Sequence, residues 1–190
     1  MSTTQKIIYA IAFQIGWFVC ILGSNVASLY YSLIFVACHL VFSLYRNSSL
    51  WIAKEVLWLL MIVAFGLIIE TFSFSAGFLY YQTSGNFLTT NTFLEYFVIP
   101  PLWLANLWLI FAVALRTCLA FMLYKPNLLY ALSLALVPIN YYAGAALNNT
   151  VELNQPYYFS LTLITLLWLV FFWCLMHIKQ RYFKDMFNAR

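Results

Sequence analysis

Apolar residues fall into six long runs separated by short polar breaks, a pattern that predicts helices. The runs cover about residues 7–22, 26–45, 56–76, 101–124, 127–147 and 157–177. Gly23-Ser24-Asn25 closes the first run, Arg46-Asn47-Ser48-Ser49 closes the second, and Lys54-Glu55 stands before the third. The polar stretch from Gln82 to Asn91 is the longest loop, and Pro100-Pro101 suits the start of the fourth helix. Lys125-Pro126 separates the fourth run from the fifth, which Pro138 interrupts and Asn148-Asn149-Thr150 ends. Runs of this kind match the ~20 residues that carry a helix across a bilayer. Strands of a membrane barrel alternate apolar and polar positions over about ten residues, and these runs are too long and too uniform for that. The expected fold is all-α: a polytopic transmembrane helical bundle of about six spans, forming one domain over residues 1–190. No internal repeat is visible, because the spans carry different polar landmarks. The first run resembles a secretory leader in having Lys6 before it and Ala27-Ser28 after it. Gln14 and Trp17 interrupt it and a second run follows at once, so it reads as an uncleaved span.

Composition sharpens this picture. Of 190 residues, 65% are hydrophobic and only 7% are charged. A soluble domain carries roughly a quarter of its residues as charges, enough to clothe its surface. A chain this apolar needs lipid around it. The four cysteines, Cys20, Cys38, Cys118 and Cys174, lie singly in apolar runs without metal-ligand spacing and read as small packing residues. No metal or cofactor is implied.

Charge then orients the chain. With a cytoplasmic N-terminus, Lys6, Arg46, Lys54, Lys125, Lys179, Arg181, Lys184 and Arg190 fall inside, eight of the nine basic residues. The outside loops carry only Glu95 and Glu152, and Arg116 lies within a span. Both termini are therefore expected in the cytoplasm. Basic residues at span ends read as orientation signals and not as a nucleic-acid surface. Tyr30, Tyr31, Trp51, Tyr80, Tyr81, Tyr96, Tyr124, Tyr157 and Tyr158 lie near span ends, as an aromatic belt does. The sequons at Asn47 and Asn148-Asn149-Thr150 carry no information of their own, and the first falls on the inner side.

Polar side chains inside spans are costly and mark the candidate sites. They are Gln14, His39, Glu70, Asn106, Arg116 and Asn140, with Asn25 and His177 at span ends. A rise of ~1.5 Å per residue places Glu70, Asn106 and Asn140 in one outer layer, within ~5 Å in depth. It places His39 and Arg116 in the inner half and Gln14 near the middle. A Glu70–Arg116 ion pair is disfavoured, since their depths differ by on the order of 10 Å. Two clusters are expected instead: a binding layer of Glu70, Asn106 and Asn140, and an inner cluster of Gln14, His39 and Arg116. The plain reading of the amides is interhelical hydrogen bonding worth ~1 kcal/mol each. Glu70 asks for more, because a carboxyl there either carries a proton or faces a wet cavity. There is no phosphate-binding glycine loop, HExxH or GxSxG, and two histidines are too few for a membrane di-iron centre. The chain alone does not read as an enzyme.

Several segments resemble a bacterial integral-membrane family, domain of unknown function 2878. They are Phe13 to Phe18 with Cys20 to Asn25, Gly66 to Gly77, Pro101 to Phe111, and Val137 to Leu147. The family's acidic residue, more typically Asp, falls on Glu70. Its Pro-x-Trp and Leu-Trp elements fall on Pro101, Trp103, Leu107 and Trp108, which adds Trp103 to the binding candidates. Its Pro-x-x-Tyr-x-x-Gly element falls on Pro138, Tyr141 or Tyr142, and Gly144. Val137 stands where a glycine is expected, and Arg116 falls in a region usually less charged. The resemblance implies the inner (cytoplasmic) membrane of a bacterium and no established activity. Members tend to occur beside proteins similar to cyclopropane-fatty-acid synthases and other lipid-modifying enzymes.

Three functions follow as expectations. The first is a protein that binds or presents lipid to a modifying enzyme, with the Glu70 layer contacting a polar moiety. The second is a small proton-coupled transporter or permease, with Pro138 breaking the fifth span; at this size it would work as a homo-oligomer. The third is a structural or assembly subunit of a membrane complex.

Overall fold

The computed structural model describes residues 1–46, 49–82 and 98–188. The Asn47 sequon, the loop from 83 to 91, Glu95, Tyr96 and Arg190 lie outside the described residues. Among the described residues the helices are, in order, α1 (Thr3–Leu22), α2 (Asn25–Arg46), α3 (Ser49–Ser75), α4 (Leu102–Arg116), α5 (Pro126–Leu147), α6 (Tyr157–Tyr182) and the short α7 (Lys184–Asn188). The bundle is all-α in its architecture. Helices α1, α2, α3, α5 and α6 are each long and apolar enough to cross a membrane. Their outer faces keep large aliphatic residues exposed; Ile8, Ile34, Ile68, Ile139 and Val170 are between 59% and 66% accessible. Such faces suit hydrocarbon and not water. The chain is a multi-pass membrane protein.

The fourth run behaves differently from its hydropathy. One helix is expected over 101–124, but α4 stops at Arg116 and a 3₁₀ turn over Ala120–Tyr124 completes the passage. Thr117 makes the break tolerable: its Oγ1 donates to the Val113 carbonyl at 2.7 Å, and Leu119 N–H donates to Ala114 at 2.8 Å. Backbone groups freed within apolar surroundings must be satisfied locally. Helix α4 is also the most enclosed element, with ten of its residues buried and contacts to α1, α2 and α3. A helix surrounded by protein does not need the full length of a lipid-facing one.

Two glycines allow that close packing. A Cβ on Gly66 of α3 would lie 2.0 Å from Trp108 Cδ2 of α4, and one on Gly16 of α1 would lie 2.6 Å from Tyr31 of α2. Small residues let helix backbones approach where lipid offers no hydrophobic drive. Pro138 does not interrupt α5, which runs unbroken from Pro126 to Leu147. The expectation of a broken fifth span is therefore corrected: neighbouring helices hold the segment helical around its proline.

Successive passages alternate in direction, so each end of the bundle collects its own residues. One end gathers Tyr9, His39, Glu55, Arg116, Tyr124, Lys179 and α7. Here Tyr124 OH donates to the Phe187 carbonyl at 2.5 Å, and Phe183 and Phe187 pack edge-on against Trp58. All the described Lys and Arg residues lie toward this end, together with the start of α1 and the end of α7. The opposite end carries a feature absent from the sequence reading, an antiparallel two-stranded sheet. Strand β1 (Leu79–Tyr81) pairs with β2 (Val151–Leu153) in the register Leu79↔Leu153, Tyr80↔Glu152 and Tyr81↔Val151. Leu79, Val151 and Leu153 are buried beneath it, so the pair caps the bundle. On its outer face Tyr80 OH donates to Glu152 at 2.8 Å, and that bond holds the phenol above its ordinary pKa.

Candidate functional site

Glu70 sits five residues before the end of α3, on the face turned toward α4, and is 1% exposed. Its Oε1 accepts two hydrogen bonds: one from Trp108 Nε1 of α4 at 2.9 Å and one from Tyr141 OH of α5 at 2.5 Å. Tyr141 OH accepts in turn from Trp168 Nε1 of α6 at 3.0 Å. The two indoles stack with ring centroids 4.5 Å apart and planes 21° from parallel. Four helices thus meet at one carboxyl, and every donor that reaches it is neutral. Its other oxygen, Oε2, is buried and has no hydrogen-bond partner among the described residues.

This carboxyl lines a cavity of about 360 Å³. Helices α4 and α6 form its back, α1 and α5 its sides. Leu79 and Val151 of the strand pair close one end, and Leu119 and Met122 of the 3₁₀ segment close the other. Asn148 ties the sides together at the strand end by donating from Nδ2 to the Ile21 carbonyl at 2.8 Å. Away from that tie, Gln14 of α1 and Asn140 of α5 line the cavity and are also exposed, so it opens to the outside between these helices. Both amides lie well inside their spans. The opening therefore faces hydrocarbon.

The expected outer layer separates into three environments. Glu70 lies at the back of the cavity. Asn140 is at its mouth, with Nδ2 donating to Leu136 O of its own helix at 2.7 Å. Asn106 is elsewhere: its Nδ2 donates to Ser28 Oγ of α2 at 2.9 Å, a buried bond locking α2 to α4. Trp103 lines the cavity near the strand pair and donates to Thr150 Oγ1 at 3.2 Å, while Thr150 hydroxyl bonds Asn148.

The expected inner cluster also divides. Gln14 faces the cavity and takes no part in it. His39 and Arg116 are brought together by Glu55, which stands just before the third apolar run. Glu55 is 2% exposed, because α3 begins at Ser49 and carries it inside. Arg116 Nε donates to both Glu55 oxygens at 2.9 and 3.0 Å, and Nη2 lies 2.8 Å from Oε1. His39 Nε2 is 3.7 Å from Oε2, and its Nδ1 is 3.2 Å from Tyr9 OH. The Phe187 ring covers Arg116, its face 5.0 Å from the guanidinium carbon. Depth counting would have found this pair, since Glu55 and Arg116 lie toward the same end of the bundle.

Tyr141, Trp108 and Trp168 complete the Glu70 site. Tyr141 and Trp108 lie in segments noted for their resemblance, but nothing in the sequence singles out Trp168. Its role depends on the lateral packing of α6 against α4 and α5.

No curated protein and no solved structure matches this chain. A family model does, over residues 6–174, and the chain belongs to that family, described as Protein of unknown function (DUF2878).

Proposed function

We propose that this membrane protein binds the apolar chain of a lipid between α1 and α5, with Glu70 receiving the polar end, and so presents lipid to a modifying enzyme. In this reading its basic end faces the cytoplasm of a bacterial inner membrane. One observation carries the proposal: a buried carboxyl with an open oxygen lines an apolar cavity whose mouth faces hydrocarbon. The volume lies at the lower end of the ~300–1,000 Å³ of small-molecule sites. The aromatic walls and few convergent polar groups are typical of such sites.

Lipid already has its chains in hydrocarbon, so entering the cavity yields little hydrophobic gain. Selection must then come from shape and from the group that meets Glu70. Reconstitution in nanodiscs followed by native mass spectrometry tests this. The wild type should retain a defined lipid, and Ala145→Phe, which fills the cavity from α5, should lose it. Equal retention by both would refute cavity binding. In cells, lipidomics on a deletion strain complemented with wild type or Glu70→Gln tests the presenting role. A change restored only by wild type supports that role, and unchanged lipids in the deletion remove it.

A further inference from the structure

The chemistry around Glu70 narrows what the cavity accepts, provided it holds a lipid chain at all. Among the described residues no Lys, Arg or His lines it; the titratable side chains there are Glu70 and Tyr141. A phosphate, sulfate or ionised carboxylate entering there would be a buried anion beside a carboxyl, with no cation to offset it. Burying such an unpaired charge is among the costliest changes a protein interior can make. Anionic headgroups are therefore excluded by the lining itself.

The open oxygen sets the second limit. Oε1 already accepts from Trp108 and Tyr141, which uses its two lone-pair sites. Among the described residues Oε2 is left without a partner. An ammonium carries donors and no acceptor, so it fits Oε2 only when the carboxyl is ionised, and its remaining donors would then lie against aromatic walls. A hydroxyl both donates and accepts, so it matches Oε2 whether that oxygen is bare or carries the carboxyl's proton. We infer that the ligand is a neutral long-chain lipid ending in one free hydroxyl, which hydrogen-bonds to Glu70 Oε2 while its chain lies between α1 and α5. A free alcohol, an isoprenoid alcohol and a diglyceride share this chemistry.

Photoreactive probes separate the alternatives on the intact protein in phosphatidylcholine nanodiscs. Diazirine-bearing hexadecanol, hexadecylamine, hexadecyl sulfate and hexadecane share a chain and differ at the head. Crosslinks are mapped by peptide mass spectrometry. The alcohol should label the cavity walls of α1 and α5 about tenfold more than the sulfate or the alkane, the ratio that one hydrogen bond of about 1.4 kcal/mol produces. Glu70→Leu, with its fold checked by circular dichroism, should remove that preference while leaving alkane labelling in place. Labelling led by the amine or the sulfate would overturn the hydroxyl assignment. Equal cavity labelling by all four probes would also overturn it, yet leave lipid binding intact. If no probe labels the cavity, lipid binding falls as well.

Discussion

Helix α3 carries two buried glutamates whose surroundings differ in kind. Glu55 and Glu70 stand 15 positions apart, ~22 Å along the helix axis, and are 2% and 1% exposed. Glu55 meets a guanidinium at both oxygens and a histidine beside it, with the Phe187 ring closing over Arg116. Glu70 meets only an indole and a phenol, both on one oxygen, and its other oxygen faces no protein donor among the described residues. The first carboxylate is consumed by the fold, since its bonding capacity is used by elements that must stay together. The second has capacity to spare beside empty volume. In an apolar interior, unused bonding capacity is the better pointer to function than burial or charge.

Breaking the Glu55 side of this contrast should have the largest effect. Arg116→Met leaves a buried carboxylate without its cation and should destabilise the protein by ~3–5 kcal/mol. Thermal unfolding in detergent measures it, and adding Glu55→Gln should recover most of the loss. Recovery distinguishes an ion pair from simple packing.

Next in size is Gly66→Ala, which sets a methyl group into the Trp108 ring. Overpacking of this kind costs ~1–3 kcal/mol. Because Trp108 is a donor to Glu70, retained lipid should fall together with melting temperature.

Tyr141→Phe sharpens the comparison at the Glu70 end. It removes one interhelical bond worth ~1 kcal/mol and leaves Oε1 with one donor. Lipid retention should change more than stability does, whereas Arg116→Met should show the reverse order.

The smallest contrast lies between the two asparagines. Asn106→Ala should cost ~1 kcal/mol by losing the Ser28 bond, with lipid retention unchanged. Asn140→Ala should leave the melting temperature where it was, because its bond stays within one helix, and should alter labelling at the cavity mouth.

Hydropathy and charge order already contain the bundle's axial plan. The long apolar runs correspond to α1, α2, α3, α5 and α6, and the depth argument that set aside a Glu70–Arg116 pair agrees with their separate partners. The fourth passage misled, because uniform hydrophobicity cannot distinguish a lipid-facing helix from one enclosed by protein and broken at Thr117. Glu55 is hidden for a related reason: the charged pair Lys54-Glu55 marks the edge of the apolar run, although the helix begins several residues earlier, at Ser49.

Position along a helix axis follows from counting residues, because each adds ~1.5 Å. Lateral position does not, because it depends on which faces interlock. Glu70 is visible as a misplaced carboxyl from its position inside an apolar run. That Trp108, Tyr141 and Trp168 converge on it, that Asn106 turns away to Ser28, and that Gln14 joins the cavity instead of Arg116 were decided by packing. Gly66 shows the physical cause: a missing side chain on α3 brings Trp108 within reach of Glu70, a contact that no count along either helix reveals.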